Sequence, residues 1–199
     1  MAFWGQSHSD KEKLVKDPKR KFRFMVQFTG FSDFVVSDAQ VAGADTNEIW
    51  FAKTADKPSF TIATAEHKYL NHTFYYPGAV TWNEISVTMV DPQNPEVAGS
   101  LSNLMENMKY QPPKDLSRAT TISKWSAASS LGNVVISQLD ADGVQIEQWT
   151  LWNGFVTEMS FGNLEYGSDE LTELTLKFRY DWAQLTVKDS GGNDKEFFN

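Results

Sequence analysis

One stretch of the sequence has carboxylates spaced as they are in a metal-binding loop. The run Asp140-Ala141-Asp142-Gly143 places two acidic residues just before a glycine, as at the opening of a calcium loop. The complete calcium pattern also requires a third oxygen-bearing residue and a glutamate at its twelfth position, between two helices. Here strand-like segments flank the run. An Asp-Gly pair in that setting is typical of a hairpin turn, which we therefore predict.

The histidines are poorly placed for catalysis or metal binding. The chain has three histidines and no cysteine. His67 and His72 are five residues apart, which would place them on opposite faces of a strand, and His8 lies near the N-terminus. The sequence therefore offers few residues that could form a zinc site or a catalytic triad containing histidine.

Acidic residues could in principle supply the carboxylate pair of a glycoside hydrolase. The candidates are Glu158, Glu165, Asp169, Glu170 and Glu173. They lie at or near predicted turns between strands, where solvated acids are common. Since the sequence also lacks the glycine-rich phosphate-binding and nucleophile motifs, we predict no catalytic residues, no metal ligands, no cofactor and no enzymatic activity.

Length and composition indicate a single globular domain. The chain has 199 residues, 41% of them hydrophobic and 14% aromatic, and carries a formal net charge of −8. The one basic cluster, Lys19-Arg20-Lys21-Arg23, reads as a solvated start of a strand, so nucleic-acid binding is not expected. No apolar run could cross a membrane, and the N-terminus lacks the apolar part of a signal peptide. We expect no membrane anchor, and the absence of cysteine favours assembly in the cytosol.

The apolar residues predict a mainly β fold with one helix. Strands are indicated at 21–29, 84–90 and 171–187, where apolar residues alternate, and a short one near Thr121–Trp125. A helix at about 95–109 follows a capping Asn94. The residues expected in the core are Phe24, Val26, Ile85, Val87, Leu101, Leu104, Met105, Leu174, Leu176, Phe178 and Trp182.

Pro58–Tyr76 predicts an extended hairpin with apolar residues on both faces. Its strands are expected at Ser59–Thr64 and Lys68–Tyr76, joined across 65–67 and ended by Pro77-Gly78. Residues 41–56 read as a long loop. The predicted organisation is an N-terminal arm at 1–20, a single domain at 21–187 and a flexible tail at 188–199.

Three segments carry a resemblance to a known family. They are Trp82-Asn83-Glu84-Ile85-Ser86-Val87-Thr88-Met89-Val90-Asp91, Trp149-Thr150-Leu151-Trp152-Asn153-Gly154 and Leu174-Thr175-Leu176-Lys177-Phe178-Arg179-Tyr180-Asp181-Trp182. With the order of elements over about 20–185, the chain resembles the tail tube proteins of contractile, T-even-type bacteriophages. It is similar, more distantly, to the tube proteins of related injection systems.

The resemblance implies an antiparallel β-sandwich or barrel-like tail tube fold with one helix and an extended hairpin. It also implies a structural virion protein, assembled into hexameric rings that stack head to tail as the inner tube. The implied partners are the chain itself, the sheath protein, the baseplate tube initiator and the tape measure protein. DNA would pass through the lumen without specific binding.

Candidate contact residues follow from this resemblance. Candidates between subunits are Phe3, Trp4, Trp50, Phe60, Ile62, Tyr69, Phe74 and Tyr76, and candidates for the lumen are Asp56, Glu66 and Glu84.

Other interpretations remain open. The same fold would serve a tube initiator or adaptor, or a secreted ring protein of an injection system. A carbohydrate- or receptor-binding β-sandwich is the alternative from another class. The placement of Trp82, Trp149, Trp152 and Trp182 in or beside strands favours core and interface roles over sugar binding.

Overall fold

Alternation of apolar and polar side chains folds most of the described chain into strands. The computed structural model describes residues 18–30, 48–49, 52–92, 97–112, 120–188 and 193–199. The strands are β1 Phe24–Phe28, β2 Glu48–Ile49, β3 Ala52–Ala55, β4 Phe60–Tyr69, β5 His72–Trp82, β6 Ile85–Val90, β7 Val134–Leu139, β8 Gln145–Trp152, β9 Phe155–Ser160, β10 Glu173–Arg179, β11 Trp182–Lys188 and β12 Asp194–Phe197. The helices are α1 Val97–Asn107 and α2 Lys124–Leu131.

The strands form three antiparallel sheets. The large sheet has the order β12-β11-β8-β7-β1-β2, and the four-stranded sheet has the order β3-β6-β10-β9. Strands β4 and β5 pair with each other as a separate two-stranded sheet. The two larger sheets share one core, in which Phe28 of β1 contacts Phe178 of β10 with ring centroids 5.4 Å apart. The predicted mainly β, antiparallel fold is confirmed, and the sheets formed by the described residues do not close into a barrel.

The core follows the predicted alternation in β6 and β10. Apolar residues of these strands point inward while Ser86, Thr88, Thr175 and Lys177 stand between them. Helix α1 adds one apolar stripe. Of the residues expected in the core, Val26, Ile85, Val87, Leu101, Leu104, Leu174, Leu176 and Phe178 are buried, and Phe24 and Met105 are half-buried against them.

The core prediction is wrong for Trp182. Strand β10 ends at Arg179, and the chain crosses from the four-stranded sheet to the large sheet, where β11 pairs with β8. Trp182 is 40% exposed and stacks on Trp152, with ring centroids 6.1 Å apart. The alternation from Leu174 to Trp182 continues in the sequence through this crossing, so the pattern could not reveal that two strands share it.

A second helix replaces the short strand expected near Thr121–Trp125. Ser123 caps α2, because its hydroxyl accepts a hydrogen bond from the Ser126 amide and the Ser126 hydroxyl accepts one from the Ser123 amide. This reciprocal pair satisfies amide groups that the first helical turn leaves free. The two helices described thus correct the expectation of one. The predicted start of α1 lies outside the described residues.

Two further segments contain strands where none were expected. Within the predicted loop at 41–56, residues 48–49 pair with β1 and residues 52–55 pair with β6. Within the expected flexible tail, β12 pairs with β11. These strands are short and carry no clear alternation, so their pairing depends on the neighbouring strand rather than on their own sequence.

Candidate assembly surface

The hairpin of β4 and β5 is longer than the sequence predicted. The turn lies at Leu70-Asn71, and the expected turn at 65–67 lies inside β4. Pro77 and Gly78 lie inside β5, at a bulge where the register shifts between the pairs Ile62–Val80 and Thr64–Pro77. A bulge accommodates a proline because the ladder already lacks a hydrogen bond there. The hairpin can therefore continue beyond the proline that was expected to end it.

Both faces of this hairpin present apolar side chains to solvent. Cross-strand pairing places Phe60, Ile62, Tyr75 and Val80 on one face. The other face carries Tyr69, Phe74 and Tyr76. All seven side chains are exposed. In the described part of the chain no other strand pairs with either edge. An isolated two-stranded ribbon with exposed apolar residues is marginally stable in water and needs a partner surface.

Aromatic contacts hold the root of the hairpin to the sandwich. The Trp82 ring lies 5.2 Å from Phe60, 6.0 Å from Tyr180 and 5.6 Å from Phe198, measured between centroids. Phe198 follows β12 and also stacks on Trp149. Burial raises the pKa of Tyr180 to about 12, so this ring stays neutral. The C-terminal segment thus contacts the root, whereas the rest of the hairpin projects outward.

A nearly buried carboxylate connects the segment before β1 with the segment before β4. Glu147 of β8 is 8% exposed and accepts hydrogen bonds from Lys19, from Lys57 at 2.6 Å and from Trp149 Nε1 at 2.8 Å. Lys57 also donates to Gln138 Oε1 at 2.6 Å. The same carboxylate therefore fixes the approach to the first strand and the base of the hairpin.

The charge on Glu147 is strongly favoured. Burial by itself would raise the pKa of this carboxyl, but the hydrogen bonds from Lys19, Lys57 and Trp149 outweigh it and lower the pKa to about 2. Sequence reasoning missed this cluster. The available signal was that Glu147 alternates with Trp149 and Leu151, so it had to lie on the inward face of β8 and needed partners there.

The four-stranded sheet has two edge strands, β3 and β9, that pair with nothing further among the described residues. Its outer face is polar. The Thr88 and Thr175 hydroxyls lie 3.5 Å apart, and Lys177 Nζ donates to Glu158 Oε2 at 2.6 Å. The strands alternate in direction from β3 to β9, so the last strand runs opposite to the first.

The residues predicted to lie between subunits are only partly described. Phe3, Trp4 and Trp50 lie outside the described residues. The remaining five, which lie on the hairpin, are exposed: Phe60, Ile62, Tyr69, Phe74 and Tyr76.

The three lumen candidates do not form one cluster. Asp56 and Glu84 lie at the root of the hairpin, where Asp56 Oδ2 accepts from the Ser86 amide at 3.2 Å and Glu84 accepts from the Thr157 hydroxyl. Glu66 lies within β4, opposite Tyr75. These three carboxylates could therefore line one lumen only if the assembly of several copies brought them together.

The Asp140–Gly143 run forms the predicted turn. Asp140 Oδ1 accepts from the amides of Asp142, at 2.9 Å, and Val144, at 2.8 Å. Gly143 has a φ of +79°, a conformation that glycine adopts without strain. Across the described ranges, no group of histidine and carboxylate side chains is placed to hold a metal ion.

Solved structures of contractile injection systems contain chains with the same architecture. A chain of the sheath-tube complex of an extracellular contractile injection system (PVC), in the extended state, superposes with a TM-score of 0.60 and 15% identity, over 91% of this chain and 99% of that one. A chain of the six-fold symmetrised anti-feeding prophage baseplate gives 0.59 and 18%, over 86% and 97%. A chain of the anti-feeding prophage tube terminating cap gives 0.59 and 15%, over 87% and 93%. The chain has the fold of the tube proteins of contractile injection systems.

Comparisons of the sequence alone do not reveal the tube fold. No family model matches the chain, and no curated protein matches it significantly. The resemblance inferred from the sequence is thus confirmed through the structural neighbours, at low identity. In the described ranges, no helix of this tube-fold chain has the length and apolar content to span a bilayer.

Proposed function

We propose that the protein is the major subunit of the hollow inner tube of a contractile phage tail, built from stacked hexameric rings of this chain. The observation that carries the proposal is the projecting hairpin, with apolar residues on both faces and two unpaired edges. The tube fold of the chain supports it. A surface of this kind is stable in water only when it is covered, and copies of the chain are the partner that a tube supplies.

The four-stranded sheet is suited to closure into a ring. Because β3 and β9 run in opposite directions, β9 of one copy can lie beside β3 of the next and continue the antiparallel order. Such a head-to-tail contact joins different surfaces of the two copies, so it generates a closed ring when the rotation is right. The polar outer face with Thr88, Thr175 and Lys177 would then line the wall of the lumen.

The acidic charge fits a conduit for DNA. With a net charge of −8, the protein has no reason to bind phosphates tightly, so a genome could slide through the lumen without specific binding. The partners in this proposal are the sheath protein outside the tube, the baseplate tube initiator at its end and the tape measure protein within it.

Negative-stain electron microscopy of the purified protein, concentrated and dialysed to low salt, tests this function. We expect rings with an open centre, and stacked rings or hollow tubes, with light scattering that rises with protein concentration. A strictly monomeric protein at every concentration, also in the presence of a tube initiator complex, would contradict the proposal. A glycan screen would then test the carbohydrate-binding alternative.

A tube terminator is the second candidate. Chains from structures described as a tube terminating cap and as a sheath/tube terminator match the fold about as well as the chain from the sheath-tube complex does, with TM-scores of 0.59, 0.58 and 0.60. A terminator would form single rings that do not stack. The same microscopy therefore distinguishes it from a tube subunit by the number of rings per particle. A secreted ring protein of an injection system would be identified by its appearance outside the producing cell.

A further inference from the structure

A cavity rich in lysine lies between β3 and the large sheet. It measures about 620 Å³, and the lysines around it are Lys19, Lys21, Lys53 and Lys57. Its apolar wall includes Phe24 and Trp149. Lys19 and Lys57 donate to the Glu147 carboxylate and Lys53 donates to the Glu173 carboxylate, so the four lysine charges exceed the two carboxylates that pair with them. This lysine cavity is therefore positively charged in a protein that is acidic overall.

The connection from β9 to β10 has the opposite character. Residues 161–172 carry Glu165, Asp169 and Glu170 and no basic residue. Leu164 and Tyr166 project almost fully into solvent. Exposed leucine and tyrosine side chains on an acidic loop suit a partner that offers both cations and an apolar wall. We name residues 161–172 the acidic loop.

The cavity and the acidic loop adjoin opposite edge strands of the four-stranded sheet, although within one copy Glu170 also lies close enough to Lys53 to help raise the pKa of that lysine, after the larger effect of Glu173. Lys53 lies on the edge strand β3, whereas the loop leaves the other edge strand, β9. They also lie at the same level along the strands, because Lys53 pairs with Glu173, the first residue after the loop region. When β9 of one copy lies beside β3 of the next, the loop of the first leaves the sheet at the same end at which β3 of the second begins.

From these observations we propose that the acidic loop of one copy docks in the lysine cavity of the neighbouring copy. The contact joins Glu165, Asp169 and Glu170 to the lysines and seats Leu164 and Tyr166 against the apolar wall. It makes the joint between copies directional, since an acidic edge meets a basic one and two acidic edges repel. This inference rests on the ring assembly proposed above and names the side chains that select which edges meet.

Cross-linking between differently marked chains tests the contact, because the natural protein has no cysteine. One chain carries Ser168→Cys in the acidic loop and an affinity tag. The other, untagged, carries Thr54→Cys beside the cavity and leaves all four lysines in place. After mixing at low salt and oxidation, we expect a disulfide-linked dimer of tagged and untagged chains. A matched untagged chain with Ser129→Cys, on α2, should give none.

A charge exchange provides a second measurement. Glu165→Lys with Asp169→Lys, or Lys21→Glu with Lys53→Glu, should each raise the concentration needed for assembly about tenfold, as expected for two rim ion pairs. Combining all four changes should restore assembly near the natural concentration. The control Glu106→Lys with Asp142→Lys changes the net charge as the loop variant does, outside both surfaces. It should leave assembly within about twofold, and added salt should weaken the natural contact.

The outcomes separate this inference from the proposed function. Rings that form without the tagged–untagged cross-link, or charge variants that are not restored by combination, overturn the docking of the loop and leave the tube function intact. Failure of the natural protein to form rings in any condition overturns both. Rings together with the cross-link and restoration by the combined variant support both.

Discussion

At the scale of single residues, Glu147 shows how a polar group can organise a β-sandwich. A carboxylate on the inward face of a strand is costly unless it is paired. Here the pairing comes from Lys19 and Lys57, which belong to segments far apart in the chain. The requirement to satisfy one charge therefore fixes the position of the chain before β1 and the direction in which the hairpin leaves the sandwich.

Replacing Glu147 by glutamine should destabilise the monomer by about 1–3 kcal/mol, because Lys19 and Lys57 lose their carboxylate while the site stays nearly buried. Urea unfolding followed by tryptophan fluorescence measures this. The matched control Glu158→Gln removes an exposed partner of Lys177 and should change the free energy of unfolding by less than about 0.5 kcal/mol. Equal effects of the two substitutions would show that Glu147 has no special structural role.

The same carboxylate predicts a dependence of stability on pH. The folded pKa of Glu147 is about 2, below its ordinary value of 4.5, so the ionised form stabilises the folded state. This contribution is fully present above pH 4.5 and is lost as the pH falls from 4.5 toward 2. The difference in unfolding free energy between the natural protein and Glu147→Gln, measured over this range, should shrink on acidification. A constant difference would contradict the assignment.

At the scale of elements, local sequence signals predicted some segments well and others poorly. The alternation in Ile85–Val90 and Leu174–Phe178 was sufficient, because each strand has one buried and one polar face. The long hairpin was predicted but its turn was not, since a proline within a strand normally signals an end and a bulge is not visible in the sequence. Trp182 was misplaced because the alternation continued through a crossing between sheets.

Helix α2 was missed although its capping signal is present in the sequence. Ser123 and Ser126 are three residues apart and cap the helix reciprocally. A serine three residues after the capping residue is, however, a weaker sequence signal than the glutamate or glutamine that usually occupies that position. The assembly surface was harder still to predict. Its apolar hairpin could be read from composition, whereas the lysine cavity combines residues from four separated segments that only the fold brings together.

Removing the cap of α2 tests its local origin. Ser123→Ala should destabilise the protein by about 1 kcal/mol, because the Ser126 amide loses its acceptor at the first turn. Ser129→Ala is the control. Its hydroxyl donates only to backbone carbonyls of the same helix, those of Trp125 and Ser126, so alanine should be neutral or slightly stabilising. Thermal unfolding of both variants measures the difference, and a neutral Ser123→Ala would mean that packing alone positions α2.

At the scale of the whole molecule, folding and assembly use different parts of the chain. The core lies between the two larger sheets and under the helices. The hairpin beyond its root contributes little to that core, and its apolar side chains are exposed. A substitution in the core should therefore lower the stability of the monomer. A substitution on the hairpin should instead weaken the assembly of copies and leave the stability of the monomer nearly unchanged.

This separation predicts the behaviour of a hairpin variant. Ile62→Thr combined with Phe74→Ser removes one large apolar side chain from each face. Because both residues are exposed in the monomer, its free energy of unfolding should change by less than about 0.5 kcal/mol. If each side chain becomes buried between copies, the loss is about 1.5 kcal/mol or more per residue, so the concentration needed for assembly should rise about 100-fold.

Urea unfolding and sedimentation of the same samples measure the two effects side by side. Val144→Thr is the matched control, since Val144 is an exposed apolar residue in the turn between β7 and β8, away from the hairpin. It should alter neither quantity. Unimpaired assembly of the hairpin variant would show that copies meet through other surfaces. A large loss of monomer stability would show instead that the hairpin packs against its own sandwich, and the contacts between copies would then have to be sought at the sheet edges alone.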